Sequence, residues 1–438
     1  MGHLAAKESY QRLRERLDML PVGAPGRGAI FQILKILYTP EEAELAAKLP
    51  LRFASLRQIA RKLSLPESVL QSRLEAMADK GLVADFNLGG KIRYILNPTI
   101  VGAFEFSMMR VRADIDQEQL AGLMHQYLIG NSEFADALKK GAPTSLFRTM
   151  VHEETLPADY TEVLDWERAS HIVENAGAWS IGLCHCRHVA HHLDRECEKF
   201  PMDTCLSLGM GAEYLSRHGL ARSVEKQEAI DLLQRSREAG LVHLGDNVQN
   251  RPSFICNCCS CCCEVMQGFR KFRAFQPFAS NFEAQIDAAA CNGCRKCARA
   301  CPVNAIEVIE QARMQSGKKL KWLARVDPEI CIGCGVCAQQ CKFDSLKMAP
   351  RERRWITPAN TFAKVLTMAL EQGKLQHLLL DQDDGLGART ASALLGAILK
   401  LPPTKQLLAR DAFKSRFVDF MLQRAGLGKK KPAAKRAR

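Results

Sequence analysis

Apolar positions between residues 29 and 110 fall first at helical and then at alternating spacing, which predicts four helices followed by a two-stranded hairpin. Ile30 to Tyr38 is almost wholly apolar and makes the first helix. Thr39 caps the second, with Pro40 at its first position, where a missing amide donor costs nothing. Ser55-Leu56-Arg57-Gln58-Ile59-Ala60 opens the third, which breaks at Ser64-Leu65-Pro66. Glu67 to Lys80 is the fourth, with Val69, Leu70, Leu74 and Met77 near helical spacing and Gly81 as its stop. Leu82–Phe86 and Lys91–Leu96 then read as strands around Asn87-Leu88-Gly89-Gly90. Around this unit, residues 1–28 supply an N-terminal helix and 111–180 a helical connector. Residues 181–284 form a cysteine-rich stretch with a helix pair around Leu206–Leu241, and 285–350 hold short strands. Residues 351–428 carry two or three amphipathic helices, and 429–438 read as a disordered basic tail.

At 438 residues the chain has room for about three domains. With 47% hydrophobic and 25% charged residues it has an ordinary globular composition. No apolar run reaches the ~18 residues a membrane helix needs. The N-terminus lacks both an apolar signal core and a twin-arginine pair, so a cytoplasmic location is expected. The net charge of +13 is uneven: residues 351–438 hold 18 Lys/Arg against 7 Asp/Glu, so most of the surplus lies in the last fifth.

Helix, turn, helix and hairpin over 29–110 resembles a winged-helix domain. The fold class expected is α+β multidomain. It comprises a winged-helix-like N-terminal domain, a helical Cys-rich middle domain, a βαββαβ-type ferredoxin domain and a helical C-terminal region.

The 18 cysteines sit in dense knots, a pattern for metal in a reducing, anaerobic cytoplasm rather than for disulfides. Eight of them make two copies of one spacing. Cys291, Cys294, Cys297 and Cys301-Pro302 give C-x2-C-x2-C-x3-C-P, and Cys331, Cys334, Cys337 and Cys341 repeat it as the only internal repeat. Three thiolates on a tight loop grip three corners of a cubane, and Gly293 and Gly333 permit the close backbone approach. The fourth cysteine starts a helix that points at the other cluster. Cys291, Cys294, Cys297 and Cys341 are therefore expected to hold one 4Fe-4S cluster, and Cys331, Cys334, Cys337 and Cys301 the second. Zinc also uses C-x2-C pairs, but the tandem copy argues against it. The motifs resemble bacterial two-cluster ferredoxins. Two departures are Lys342 in place of the usual proline, a charge expected to raise the nearby potential, and an insertion at Glu310–Leu320. Ile306 and Val308 alternate against Trp322, Ala324 and Val326 as a strand pair covering the clusters.

The other ten cysteines are Cys184, Cys186, Cys197 and Cys205, then Cys256, Cys258, Cys259, Cys261, Cys262 and Cys263. This stretch resembles a Cys-rich domain found before two-cluster units in ferredoxin-like proteins of anaerobic bacteria and archaea, which implies electron-carrier function. The first four suffice for one tetrathiolate site, holding an iron–sulfur cluster, with zinc as competitor and unligated thiols as the third option. His185, His188, His191 and His192 lie nearby, most of them expected on a solvated face. The run Cys256–Cys263 supplies two sites, bridges metals in a non-cubane cluster, or splits between the Cys184/Cys205 site and a fourth cluster. One or two further iron–sulfur clusters, or a zinc, are thus expected in 184–263. Adjacent cysteine pairs are similar to those of heterodisulfide reductases, whose motif spacing is absent.

No flavin or nicotinamide fingerprint, Walker motif or catalytic triad is present. A wire for single electrons between a donor and a partner oxidoreductase is the function expected. Catalysis at a cluster in 184–263 would make the chain an oxidoreductase subunit instead. The rival is a redox-sensing DNA-binding regulator. Its recognition helix would set Arg73 and Lys80 against Glu67, Glu75 and Asp79, a poor phosphate partner, although Arg57, Arg61, Lys62, Lys91 and Arg93 leave some affinity open. The C-terminal helices are expected to dock an acidic redox partner.

Overall fold

Two capping boxes fix helix starts in the N-terminal unit. Thr39 accepts from the Glu42 amide while the Glu42 carboxylate accepts from Thr39, and Ser55 and Gln58 repeat the exchange. The computed structural model describes residues 2–26, 28–139, 144–156, 164–198, 200–273, 277–315, 318–380, 390 and 394–397. Helices α1 (Gly2–Asp18), α2 (Ala29–Leu37) and α3 (Pro40–Lys48) bury Leu13, Leu17, Ile30, Ile33 and Leu34 between them. α4 (Leu56–Leu63) turns into α5 (Glu67–Asp79), and Gly81 leaves α5 at φ +77. A Cβ at that glycine would lie 2.5 Å from Phe106, so both the φ and the space require glycine. Strands β1 (Val83–Leu88) and β2 (Lys91–Leu96) pair antiparallel with Val83 opposite Leu96. α6 (Phe104–Met108), α7 (Gln117–His125) and α8 (Glu133–Lys139) follow, and Leu120, Ala121 and Met124 of α7 complete the same core.

Beyond α8 the structure departs from the helical reading of the connector and the middle domain. β3 (Phe147–Met150), α9 (Ala169–Glu174) and β4 (Trp179–Gly182) occupy the connector. After them come α10 (His185–His192), β5 (Cys205–Leu208), α11 (Gly209–Arg217), β6 (Arg222–Val224), α12 (Lys226–Glu238), β7 (Val242–Asp246), β8 (Phe254–Cys258), α13 (Glu264–Lys271) and β9 (Phe278–Ala279). The strands form one seven-stranded sheet in the order β6-β4-β5-β8-β7-β3-β9, antiparallel except for β3 with β9. The Cys-rich domain is therefore built on a sheet, not on helices. Apart from the edge strand β6, its strands are short and buried at nearly every position, so they show no alternation to read. Ile172, Ala229 and Leu232 of α9 and α12 close one face over Ile181, Leu206 and Ile255.

The last unit runs β10 (Phe282–Ile286), α14 (Lys296–Ala300), β11 (Ile306–Gln315), β12 (Lys318–Val326), α15 (Val336–Gln339) and β13 (Leu346–Pro350), the βαββαβ order expected. β10 pairs with β13 and β11 with β12, with Ile306 opposite Val326 as the alternation required. The insertion lengthens the β11–β12 hairpin. Phe282, Val303, Ile306, Leu323 and Met348 of this unit share one apolar core with Phe147, Phe254, Met266, Phe269 and Phe278 of the sheet domain. α16 (Thr361–Glu371) and α17 (Leu375–Leu379) then pack on the sheet side, where Lys364 pairs with the buried Asp246. The remainder of the expected C-terminal helices, from 398 on, and the basic tail lie outside the described residues. Among the described residues no helix is long and apolar enough to cross a membrane.

Candidate metal centres

In the βαββαβ unit each loop before a short helix carries two cysteines, and the third sits on the second residue of the helix, Cys297 in α14 and Cys337 in α15. Gly293 (φ +73) and Gly333 (φ +67) shape those loops, and a side chain at either would strike the backbone of Trp322 or of Phe282. The glycines thus let the loops press against their covering strands. Cys301, at the end of α14, lines a pocket with Cys331, Cys334 and Cys337, closed by Val303, Ile306 and Met348. The four cysteines that the spacing groups for one cluster thus line a single pocket. Burial raises the pKa of the Cys331, Cys334 and Cys337 thiols, so thiolates persist there only where a cationic metal replaces their protons. The Cys297 thiol, facing Cys291 and Cys294, is likewise pushed up to about 11 by burial. Cys341 follows α15, and its sulfur lies 3.2 Å from Ser345 Oγ. Four soft thiols converging in an apolar pocket fit an iron–sulfur cluster.

Residues 290–345 match the family model of the 4Fe-4S dicluster domain. This segment is an iron–sulfur domain. No curated protein matches the chain, and no solved structure does.

Hydrogen bonds add to the shared apolar core that joins the iron–sulfur domain to the sheet domain. The His152 amide donates to Cys334 O at 3.1 Å. Arg270 of α13 donates to Pro302 O at 2.9 Å and to Ser260 O at 2.7 Å, joining the cysteine run of 256–263 to the residue after Cys301.

The ten remaining cysteines gather around the paired strands β5 and β8, inside the sheet, and the starts of α10 and α13. Cys205 stands opposite Cys256 across β5–β8, and Cys258 is two residues on along the same strand. Cys184 caps α10 and Cys263 caps α13. Cys197 falls with Cys259 and Cys261, their sulfurs mutually within 4.8 Å. The structure thus separates Cys197 from the quartet Cys184, Cys186, Cys197 and Cys205 that chain order groups together.

Two of the four histidines also depart from expectation. His185 and His188 are buried, at 5% and 3% exposure, whereas His191 is exposed and paired with Glu196. His188 Nδ1 meets Met108 O at 2.8 Å, a structural bond. His185 Nε2 lies 3.2 Å from the buried Glu264, which also faces His125 at 3.4 Å. Burial opposes the imidazolium of His185, but the Glu264 carboxylate overrides it and lifts the pKa to about 9. Glu264 and Arg187 went unread in the sequence. Arg187 follows Cys186 directly, a signal available only once the neighbouring thiols are seen in space.

Proposed function

We propose that this chain is an iron–sulfur electron-transfer protein that passes single electrons between a redox donor and a partner oxidoreductase. Cys291, Cys294, Cys297 and Cys341 hold one 4Fe-4S cluster, and Cys331, Cys334, Cys337 and Cys301 hold a second. Further iron–sulfur centres use the cysteines of 184–263. The observation that carries the reading is the convergence of Cys301 with Cys331, Cys334 and Cys337 in one apolar pocket, next to a second reservoir of clustered thiols. When bound, such a cluster takes up or releases one electron with no atom transferred, so the donor loses and the acceptor gains one electron per event. The chain's own residues hold the thiolates, exclude water through Val303, Ile306 and Met348, and bind the two domains rigidly through Arg270.

The winged-helix-like unit serves as a protein-docking module in this reading. Its α5 presents Glu67, Ser68, Gln71, Arg73 and Glu75 to solvent, a net negative set that suits phosphates poorly. The reading places the protein in a reducing cytoplasm.

Anaerobically purified protein tests the proposal through iron and acid-labile sulfide per chain and EPR after reduction. More than about eight irons are expected, with reduced signals that a one-electron acceptor discharges stoichiometrically. Fewer than about eight irons would remove the second ferredoxin-type cluster. Tight, salt-sensitive and sequence-specific DNA binding in a gel-shift assay would favour the regulator.

A further inference from the structure

We propose that the ten cysteines of 184–263 form two separate iron–sulfur centres with Arg187 between them. One is a four-thiolate 4Fe-4S site of Cys197, Cys259, Cys261 and Cys262. The other is a six-thiolate site of Cys184, Cys186, Cys205, Cys256, Cys258 and Cys263. The inference deepens, and rests on, the reading that this region carries iron–sulfur centres.

Strand geometry makes the division. Cys256 and Cys258 occupy alternate positions of β8 and so share a face, and Cys205 opposite Cys256 joins them on it. The chain leaves β8 at Cys258, and Cys259 opens the loop that carries Cys261 and Cys262. Contacts between sulfurs follow the same line. In the larger set they run from Cys184 to Cys186, on to Cys263 and Cys258, and through Cys256 to Cys205. In the smaller set Cys259 meets both Cys262 and Cys261, Cys261 meets Cys197, and Cys261 and Cys262 lie 3.9 Å apart. The packing agrees. Cys258 and Cys263 belong to the core shared with the iron–sulfur domain, whereas Cys259 and Cys262 pack with Ala190, Leu241, Cys197 and Phe200.

Arg187 supplies the independent observation. It is 2% exposed, sits over the Phe200 ring and donates Nη1 to Phe200 O at 3.0 Å, but its Nε and Nη2 have no hydrogen-bond partner. It follows Cys186 of one set directly in the chain, and the Phe200 ring beneath it packs with Cys197, Cys259 and Cys262 of the other. A buried guanidinium with no carboxylate requires an anion, and thiolate-ligated clusters on either side provide one. Six thiolates exceed the four corners of a zinc tetrahedron, so the larger set calls for more than one metal atom. Four soft thiolates suit one cubane.

The test uses the full chain, purified anaerobically, as wild type and as Cys197→Ala, Cys261→Ser, Cys205→Ala and Arg187→Gln. The signals of the 290–345 domain serve in each variant as the control that the chain has folded. Cys197→Ala and Cys261→Ser are each expected to lose about four irons and one identical set of EPR signals. Cys205→Ala should remove a different set and leave that one. Arg187→Gln should lower the midpoint potentials of both centres, because a lost positive charge disfavours the reduced, more negative state. Loss of the same signals from Cys197→Ala and Cys205→Ala would establish a single centre and overturn the division. Release of zinc by Cys197→Ala would overturn the cubane, and a potential shift confined to one centre would remove Arg187 from between them. Wild type with only about eight irons and no zinc would instead defeat the reading of extra centres itself, before any variant is made.

Discussion

His218 of the α11–β6 turn ties the N-terminal unit to the Cys-rich sheet through two carboxylates. Its Nδ1 lies 2.6 Å from Asp79 and its Nε2 2.8 Å from Asp85, which also takes Arg217 at 2.7 Å. Burial opposes the charged ring, but the hydrogen bonds to Asp85 and Asp79 outweigh it and raise its pKa above the ordinary 6.5. Asp85 moves the other way: burial works against its charge, yet His218 and Arg217 win and lower its pKa. A raised histidine contributes its full stability below about pH 6.5 and loses it as pH rises through the folded value. The lowered Asp85 contributes above about pH 4 and loses it on acidification. His218→Gln should therefore cost about 1.5–3 kcal/mol near pH 6 and clearly less near pH 9, read as thermal stability at the two pH values. An equal loss at both would show that the imidazolium contributes nothing. At this scale the chain was partly legible. Thr39 and Ser55 announced their caps, because a capping box is local in sequence. His218 announced nothing, since its partners lie more than 130 residues away.

Among elements, α13 has the most consequential position. Its first residue follows Cys263, and Arg270 near its end holds both Ser260 O and Pro302 O. Arg270→Ala would leave two part-buried carbonyls without this donor, at about 1–3 kcal/mol each where water cannot replace it. Amide hydrogen exchange should then quicken in 259–263 and in 303–305 together, with the iron content unchanged. Faster exchange in only one segment would mean that α13 does not couple them. The same contrast explains which elements could be read beforehand. The βαββαβ unit was legible because its cysteine spacing fixes loops and helices, and Ile306 to Val326 alternates along a half-covered hairpin. The seven-stranded sheet was not, for β7 is buried at every position and β5 and β8 carry cysteines, which read as ligands rather than as strand residues.

For the whole molecule the division that matters is between cores, not between domains named along the chain. The N-terminal helices close on a second core, built around Leu13, Ile30, Leu34 and Leu74 and joined by Val189 of α10. The sheet domain and the iron–sulfur domain close on one core together. Phe278 lies at its centre, fully buried on β9 beside β3, with its ring 5.6 Å from that of Phe269. A cluster domain tethered only by a linker would be free to reorient. One that shares its core must unfold with the sheet that presents the other ten thiols. Truncating Phe278 to alanine should cost about 3–5 kcal/mol. That loss belongs to both domains at once. On heating, the visible absorbance of the 290–345 clusters and the exchange protection of β3, β7 and β8 should vanish in a single transition, shifted down together. Protection of α1–α3 should keep its wild-type midpoint, because its core contains neither Phe278 nor its ring partner Phe269. Separate midpoints for the cluster absorbance and the sheet would show that the shared apolar layer does not bind the two into one unit.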